Sequence, residues 1–580
     1  MSYLLNDPAE FADEMTDGFV AANAALVRRV EGGVARRTRT PAGQVAVVVG
    51  GGSGHYPAFA GLVGRGLAHG AAMGNVFASP SAQQIRTVAR AVASDAGVLF
   101  CYGNYAGDVL NFDQAQERLR ADGIACRTVT VTDDVSSAGE GERHKRRGVA
   151  GDLVVFRAAA WAAEQGRSLE DVAALASRAN DRTRTLGVAF SGCTLPGARE
   201  PLFTVPAGRM AVGMGIHGEP GLEETSMPTA DELAELLVAR VLAERPEPAD
   251  DQHGARVAVI LNGLGSVKSE ELFVTYRRVA SLLDGAGLSV VAPEVGELVT
   301  SFEMAGVSLT LCWLDDELEE AWTSPAEAPA YRRGALEPLD REEAASEDAA
   351  THVPAPRASA ESQEAAQVVV VALRAVAGTV DENADELGRL DAVAGDGDHG
   401  IGMQRGATAA LRAAQRAAEA GAGAGTTLRT AGDAWADRAG GTSGALWGAA
   451  LRALADETGD DTRPDAAGVA SGVRSAAETV ARLGKVTAGD KTMLDAIMPF
   501  AEQLRRRVAE GAPLADAWRA AAGTATAAAE ATADLLPRAG RARPHAERSL
   551  GTPDPGAVSF ALAVTAVGGV LDDRPAVRDA

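Results

Sequence analysis

The sequence predicts an α/β fold for the front part of the chain and an all-α fold for the back part. Residues 1–321 alternate short apolar, β-branched runs with amphipathic stretches, which is typical of parallel or mixed sheets with helical crossovers. Residues 363–580 are rich in alanine, follow a helical periodicity and contain few strand formers, which indicates several packed helices. Between them, residues 322–362 are dominated by Pro, Ala, Glu and Asp, and we expect an exposed, flexible linker there.

The front part divides into two α/β subdomains, with the boundary near residues 150–185. In the first subdomain we predict strands at 44–49, 97–102 and 126–131, and helices at 81–93 and 112–121. In the second we predict strands at 185–190, 209–214, 256–261, 288–291 and 308–313, and helices at 152–165, 169–180 and 230–242.

A glycine-rich stretch, GGGSGHY at 50–56, follows the first predicted strand, and Pro57 suits the first turn of a helix. A strand, a glycine turn and a helix start would place backbone N–H groups around a polar ligand. The stretch also fits a plain tight turn, so it identifies no ligand by itself. Two more polar turns follow strands, GNYAGD at 103–108 and GMGIHGEPG at 213–221. Open α/β sheets bind ligands at the carboxyl ends of their strands, where such turns lie.

The composition and charge argue against several classes of binding partner and of cellular location. The formal net charge of −24 repels nucleic acid and anionic membrane surfaces. The four cysteines are isolated and show no CxxC spacing, so we interpret them as reduced core residues of a cytoplasmic protein. The N-terminal sequence lacks the features of a signal peptide, and we expect no transmembrane helix because we find no run of about 18 uncharged apolar residues.

Three aspartates in the helical part, Asp391, Asp396 and Asp398 within LDAVAGDGDHG, form the strongest chemical motif. Their carboxylates can converge on a hard cation, and Mg²⁺ prefers oxygen ligands together with substrate phosphates. A solvated acidic loop or a calcium loop is the alternative, although the glutamate that ends an EF-hand ligand series is absent. The GGTSG stretch at 440–444 offers hydroxyl and N–H groups to phosphate oxygens. The sequence therefore predicts a magnesium–phosphate site.

Two of the eight histidines, His55 and His217, lie on glycine-rich turns after predicted strands, and Asp108 lies on a third such turn. These side chains could form an acid/base or nucleophilic group. Metal binding by them is less favoured, because no HxH or HxxxH spacing supports it.

Several motifs occur in a fixed order along the chain: GGGSGHYPAF, NYAGDVLNF, GMGIHGEPG, GDGDHG, GGTSG, GDKTMLD, and ERSLG followed by DPGA. Together they resemble the dihydroxyacetone kinase family, in its ATP-dependent form with ketose-binding and nucleotide-binding domains in one chain. The resemblance covers nearly the whole chain apart from the linker. It implies an α/β ketose-binding domain at 1–321 and an all-α helical-barrel domain for ATP at 363–580.

For the front domain the resemblance implies that His217 adds through a ring nitrogen to the substrate ketone and forms a covalent hemiaminal. This chemistry rejects glycerol, which has no carbonyl to attack. His55 and Asp108 would orient the ketose and take the proton from its terminal hydroxyl. The implied substrate-binding residues are Gly52, Ser53, Gly54, His55, Asp108 and His217.

For the back domain the resemblance implies that Asp391, Asp396 and Asp398 hold Mg²⁺ between the ATP phosphates. Phosphoryl transfer would then depend on positioning and charge neutralisation. The residues that fall where the family contacts nucleotide are His399, Gly400, Ile401, Gly402, Thr442, Ser443, Gly484, Met493, Arg541, Asp554, Pro555 and Gly556.

Two departures from the family pattern stand out. Members specific for dihydroxyacetone typically read KNYTGD, whereas here Gly103 and Ala106 replace the lysine and the threonine. The smaller residues predict a roomier pocket for a four-carbon ketose. The sequences GNYAGD and GDGDHGIGM are also similar to those of the branch that phosphorylates erythrulose. Neutral drift, with a water filling the space, is the alternative. At 541–548 the chain reads RARPHAER where the family often reads RASYLGER, which leaves the conformation of the last nucleotide loop open.

The leading hypothesis is an ATP- and Mg²⁺-dependent ketose kinase acting on erythrulose, with the D form preferred and dihydroxyacetone as the alternative. A lyase that releases a cyclic nucleotide from FAD and a non-enzymatic ligand sensor are further alternatives. The resemblance favours a homodimer. The sequence leaves open the stereoisomer and whether phosphoryl transfer takes place within one chain or across a dimer.

Overall fold

The computed structural model of the chain describes residues 4–246, 255–334, 358–395, 397–439, 441–538 and 547–572. The chain divides into two compact units, Met1–Arg341 and Glu342–Ala580. The first unit is α/β with mixed sheets and the second is all-helical, so the predicted fold class is confirmed.

The first unit contains two six-stranded sheets. Its elements are α1 (Phe11–Ala22), β1 (Val27–Val30), β2 (Gly33–Arg36), β3 (Ala46–Ser53), β4 (Gly70–Val76), α2 (Ala82–Val92), β5 (Val98–Gly103), α3 (Ala106–Ala121), β6 (Cys126–Val131), α4 (Gly151–Glu164), α5 (Leu169–Asp181), β7 (Thr183–Ala189), β8 (Arg209–Val212), β9 (Glu223–Ser226), α6 (Ala230–Leu242), β10 (Arg256–Gly263), α7 (Ser269–Gly285), β11 (Ser289–Gly296), β12 (Gly306–Leu314), α8 (Asp316–Thr323), β13 (Ala326–Glu327) and β14 (Arg332–Arg333).

The first sheet has the order β1-β2-β4-β3-β5-β6, in which β4, β3, β5 and β6 run parallel. The second has the order β11-β10-β12-β7-β8-β9 and is antiparallel except for the β10–β11 pair. Helix α4 contacts strands of both sheets and is buried along 151–163. Its sequence, GDLVVFRAAAWAAE, is apolar on nearly every side, as a helix between two sheets requires.

The glycine-rich stretch at 50–56 differs from the prediction. Strand β3 continues through Ser53, and no α-helix begins at Pro57. Gly50 and Gly51 pair with β4, and a Cβ on Gly51 would lie 2.4 Å from the Phe59 ring. These glycines therefore allow close packing around a central strand rather than forming a turn before a helix.

The linker predicted at 322–362 begins before the ordered structure of the first unit ends. Residues 326–333 form the β13–β14 hairpin, in which Tyr331 is buried, and helix structure resumes at Ala360. Residues 335–357 lie outside the described residues. Arg157 on α4 contacts the hairpin and the helix before it: its guanidinium lies 5.7 Å from the centroid of the Tyr331 ring, and it donates hydrogen bonds to the carbonyls of Ala321 and Trp322 in α8, at 3.1 and 3.2 Å.

The second unit consists of α9 (Ala360–Ala392), α10 (His399–Glu419), α11 (Ala424–Ala439), α12 (Gly441–Thr458), α13 (Ala466–Gly484), α14 (Leu494–Ala509), α15 (Leu514–Ala531) and α16 (Pro555–Asp572). Each of these helices packs against the next, and α16 returns to α9. The described helices therefore close a barrel. Its interior holds a cavity of about 560 Å³ lined mainly by apolar side chains, including Leu428, Trp447 and Phe500.

Two of the described helices, α9 and α16, are long and apolar enough to span a bilayer by length and composition. The sequence analysis expected no such segment. Side chains from both helices, among them Val370, Leu373, Phe560 and Val564, belong to the core of the helical unit. We therefore interpret them as core helices of the barrel, which satisfy the same criteria.

All four cysteines are buried and unpaired, as predicted. Burial raises the pKa of each thiol, to about 12 for Cys126 and about 11 for Cys193 and Cys312. The pKa of Cys101 rises for the same reason, with the nearby Asp152 carboxyl adding to the effect. These side chains act as small apolar residues of the core.

Arg157 gives a test of how the hairpin is held. It is fully buried and also donates to the carbonyl of Gly66 at 2.8 Å. Arg157→Leu leaves several buried carbonyl groups unsatisfied, each costing about 1–3 kcal/mol, so we expect a loss of about 3 kcal/mol or more in the free energy of unfolding. Urea unfolding of the full chain measures it. Arg332→Leu, at an exposed arginine of β14, is the control, and equal midpoints for the two variants would contradict this role.

Candidate active site

Two histidines from the two sheets meet in the first unit. His55 follows the carboxyl end of β3, and His217 lies in the loop between β8 and β9. Their Nε2 atoms are 3.0 Å apart, and His55 is buried. The structure thus brings together two predicted site residues that are 162 positions apart in the sequence.

The protonation of His55 follows from its surroundings. Its Nδ1 lies 2.7 Å from the carbonyl oxygen of Thr300, which can only accept, so Nδ1 carries the proton. Burial and the nearby His217 lower the pKa of His55 to about 3. His55 is therefore neutral near pH 7, with the lone pair of Nε2 directed at His217.

Asp108 lies in the first turn of α3, directly after β5. Its Oδ1 atom is buried and has no hydrogen-bond partner among the residues that the structure describes. Burial raises the pKa of Asp108 to about 6, and a hydrogen bond from Ser79 and the charge of His217 oppose the rise. A carboxyl that titrates near neutral pH suits general-base chemistry.

Aromatic rings surround the two histidines. Phe77 stacks on His55 at 4.9 Å between ring centroids, and Tyr105 meets the His217 ring edge-on at 4.8 Å. Phe77 and Phe302 both have left-handed backbone conformations, with φ of 51° and 49°, which carry strain of order 1–3 kcal/mol each. Such strain is found where surrounding structure fixes a functional site.

The predicted substrate-binding glycines pack closely against Phe77 and Phe302. A Cβ on Gly54 would lie 2.7 Å from the Phe302 ring and 2.8 Å from the Phe77 ring, and one on Gly52 would lie 2.9 Å from the backbone of Phe77. Ser53 is buried and donates its hydroxyl proton to the carbonyl of Gly74 at 2.7 Å. Its oxygen keeps acceptor capacity for a ligand, while its proton is engaged.

A second cavity, of about 470 Å³, lies among the helix ends of the second unit. It brings together most of the predicted metal and nucleotide residues. Those lining it are Asp391, Asp398, His399, Gly402, Thr442, Ser443, Met493, Asp554, Pro555 and Gly556. Helices α10, α12 and α16 begin at this cavity, and helix N-termini favour phosphate through their unpaired N–H groups.

Two predicted metal ligands line this cavity. Oδ2 of Asp391 accepts a hydrogen bond from the Gly397 amide at 2.8 Å, and Asp398 precedes α10. Asp396 lies outside the described residues, and no cluster of three metal-ligating side chains occurs among the residues that are described. Carboxylate oxygens that line a cavity at the N-termini of several helices fit the hard-donor preference of Mg²⁺.

Some predicted nucleotide residues do not line the cavity. Gly400 packs against α9, where a Cβ would meet the carbonyl of Ala384 at 1.9 Å, and Ile401 is 52% exposed. Gly484 ends α13 and lies behind Leu446, which lines the cavity. Arg541 lies outside the described residues.

Family models match both units. Residues 17–330 match the Dak1 domain and residues 393–568 match the DAK2 domain. An L-erythrulose kinase of Pectobacterium atrosepticum is 60% identical over 99% of this chain and 97% of its own length. The chain belongs to the dihydroxyacetone kinase family. Within this family, a D-erythrulose kinase of Mycolicibacterium smegmatis is 55% identical, over 98% of each chain.

A solved structure of the family has the same order of domains. The dihydroxyacetone kinase of C. freundii in complex with AMP-PNP and Mg²⁺ is 29% identical, with a TM-score of 0.58, over 98% of this chain and 99% of that one. The similarity spans both the α/β unit and the helical unit.

The sequence analysis missed several residues of the two candidate sites. Glu219 contacts His217 through Oε1, 3.2 Å from Nδ1, although it stands only two residues away in GMGIHGEPG. An acidic residue beside a candidate histidine in a glycine-rich turn was the available signal. Lys491, in the GDKTMLD motif, lines the helical cavity and donates to the carbonyl of Ser549 at 2.7 Å. No sequence motif pointed to Thr300, whose carbonyl oxygen contacts His55 Nδ1.

Asp554 gives a test of the electrostatics in the helical cavity. Burial raises its pKa from 3.8 to about 7, and Asp495 adds to the rise, while the Ala557 amide and Lys491 oppose it. Folding therefore takes up a proton between these pH values, and stability falls as the pH rises through them. Asp554→Asn keeps the acceptor for the Ala557 amide but removes the charge. We expect it to raise the free energy of unfolding by up to about 4 kcal/mol at pH 8.

The gain from Asp554→Asn shrinks as the pH falls and vanishes near pH 3, because the wild-type carboxyl is then protonated in both states. Unfolding of nucleotide-free protein at pH 8 and at pH 4 measures the difference. Asp461→Asn, at an exposed aspartate of the same unit, is the matched control. An equal gain for Asp554→Asn at both pH values would contradict the assignment.

Proposed function

We propose that this chain is an ATP-dependent ketose kinase that phosphorylates the terminal hydroxyl of erythrulose. The observation that carries the proposal is the 3.0 Å contact between the Nε2 atoms of His55 and His217, with Asp108 at the same sheet edge. The erythrulose kinases that share 60% and 55% identity over nearly the full length support the substrate. The structure of a relative with AMP-PNP and Mg²⁺ supports the phosphate donor and the metal.

In the proposed mechanism the lone pair of His217 Nε2 attacks the ketone carbon. The C=O π electrons move to the oxygen, which takes a proton held between the two Nε2 atoms, and a hemiaminal results. His55 is placed for this transfer because its Nδ1 is fixed by the Thr300 carbonyl. The covalent bond orients the remaining hydroxyl groups and selects for a carbonyl compound.

Asp108 is the proposed base for the terminal hydroxyl. Its buried Oδ1 atom, which lacks a described partner, is available to accept the hydroxyl proton. In the helical unit, the helix N-termini at Thr442 and Pro555 bind nucleotide phosphates, and Asp391, Asp396 and Asp398 hold Mg²⁺. When bound, Mg²⁺ neutralises charge on the transferring phosphate. His399 is held toward this site by a 3.0 Å contact between its Nε2 and Ser559 Oγ.

The preference for a four-carbon ketose rests on Gly103 and Ala106. A Cβ on Gly103 would lie 3.2 Å from the Tyr105 ring and 3.4 Å from Gly148, so a larger side chain there would displace Tyr105 from His217. We also propose that the protein is a cytoplasmic homodimer, as the family resemblance and the four buried, unpaired thiols suggest. The D form was favoured on sequence, and relatives named for both enantiomers make the choice an experimental one.

The direct test replaces the nucleophile. His217→Ala should lose detectable phosphorylation of D- and L-erythrulose, because no covalent bond holds the ketose, while a fluorescent ATP analogue still binds. His144→Ala, at an exposed histidine, should retain wild-type rates. Wild-type kcat/KM on both erythruloses and on dihydroxyacetone defines the substrate. Full activity in His217→Ala refutes the hemiaminal, and a preference for dihydroxyacetone refutes the pocket argument.

The proposed base predicts a pH dependence. Asp108 must be ionised to accept a proton, so kcat/KM should fall about tenfold per pH unit as the pH drops below about 6 and should level off above it. Asp108→Asn should abolish turnover at every pH. Asp113→Asn, at an exposed aspartate of α3, should keep the wild-type profile. A flat profile between pH 5 and 7 in the wild type would exclude Asp108 as the base.

A further inference from the structure

A row of alternating charges leads from the interior of the first unit to His217. Glu219 Oε1 lies 3.2 Å from His217 Nδ1, and Arg147 Nη1 lies 3.6 Å from Glu219 Oε2. The other side of the Arg147 guanidinium contacts Asp134 Oδ2 at 2.8 Å. Exposure falls along the row, from 32% for the Glu219 side chain to 13% for Arg147 and 4% for Asp134.

The row is anchored at several points. Ser136 donates from both its amide and its hydroxyl to Asp134, at 2.9 and 2.6 Å. The amide of His217 donates to Glu219 Oε2 at 3.1 Å, which holds the carboxylate under the ring. A Cβ on Gly215 would lie 2.0 Å from Glu219 Oε2 and 2.4 Å from Arg147 Nη1. Glycine at 215 thus leaves room for the ion pair.

Hydrogen-bond roles fix the protons around His217. Burial alone would raise the pKa of Glu219, but the hydrogen bond and charge of His217, together with Arg147, lower it to about 2. Glu219 is therefore an acceptor, and His217 Nδ1 must donate to it. Neutral His55 presents a lone pair at Nε2, so His217 Nε2 donates there. One proton is then shared in the contact between the two Nε2 atoms, and Glu219 is the counter-ion of the histidine pair.

We propose that Glu219 is a positioning residue that keeps the proton on Nδ1 of His217 and balances the positive charge of the ring in the hemiaminal, while Arg147 and Asp134 hold Glu219 in place. The inference rests on the proposed function. A carboxylate next to a histidine fixes both the orientation and the tautomer of the ring. This role accounts for the largely buried Arg147–Asp134 ion pair, which holds the carboxylate of Glu219 next to His217.

Formation of the hemiaminal moves one proton between the two histidines and the ketone oxygen. The Nε2 proton of His217 passes to Nε2 of His55, and the freed Nε2 lone pair forms the bond to the carbonyl carbon. The C=O π bond breaks, and its oxygen takes the proton from His55. The product ring is bonded to carbon at Nε2 and to hydrogen at Nδ1, so it keeps one positive charge. His55 is neutral again, and Glu219 stays ionised throughout.

Glu219→Gln tests this role, because the amide has the same shape without the charge. Removing a charged hydrogen-bond partner should lower the affinity for erythrulose about 10- to 100-fold, and KM should rise more than kcat falls. Glu223→Gln removes the same charge at an exposed site of β9 and should match the wild type. Glu219→Asp, which keeps the charge at a shorter reach, should bind better than Glu219→Gln.

Two spectroscopic signals separate positioning from a general loss of structure. With [2-¹³C]erythrulose, wild-type protein should convert the ketone resonance into that of a saturated carbon, and Glu219→Gln should show a much smaller converted fraction. With ¹⁵N-labelled histidine, the wild-type adduct should show a proton on His217 Nδ1, assigned by its absence in His217→Ala. Wild-type KM and adduct fraction in Glu219→Gln would overturn the inference.

The same measurements distinguish a failure of the proposed function from a failure of the positioning role. If neither wild-type protein nor Glu219→Gln converts the ketone resonance, the hemiaminal itself is wrong, and the role of Glu219 is lost with it. If the wild type forms the adduct, His217→Ala does not, and Glu219→Gln equals the wild type, the function stands and the positioning role alone is refuted.

Discussion

The 3.0 Å contact between two imidazole nitrogens organises the first unit. His55 follows a parallel strand of the first sheet and His217 a strand of the mainly antiparallel second sheet, so the contact requires the edges of two sheets to meet. Helix α4 makes this possible because it is apolar enough to be buried against both sheets. The rings of Phe77 and Phe302 pack at the buried His55, while the His217 side chain stays 24% exposed, and glycine at 54 leaves room for both rings. Neutral, desolvated His55 is a direct result of that packing.

The helical unit follows a different design. A closed ring of helices needs no sheet edge, and several of its helix N-termini open on one cavity. The cavity favours phosphate through backbone N–H groups, yet it also holds the half-buried Asp554, whose ionisation is costly in the absence of a cation. Stability is thus reduced where charge is needed for binding, which is common at functional sites. The net charge of −24 makes local N–H groups and metal ions the natural means of holding a nucleotide.

The sequence predicted the strands and helices of the first unit where periodicity was clear. Helix α6, predicted at 230–242, is observed at Ala230–Leu242, and β6 was predicted at its observed bounds. Strand β4, with the sequence GAAMGNV, escaped notice because small residues carry little strand signal. The extension of β3 through its glycines depends on contacts with β4 and Phe59, which only the fold supplies. Motif order identified the candidate histidines, but the Arg147–Asp134 pair lies between β6 and α4 and is distant in sequence from Glu219, which it contacts in the fold.

The buried thiols have a practical consequence. A thiolate is the form that reacts with maleimide dyes, and burial suppresses it at all four native cysteines. One new cysteine on the surface of each unit would therefore accept label without a cysteine-free background. Fluorescence energy transfer between two such dyes could follow the separation of the α/β unit and the helical barrel in solution.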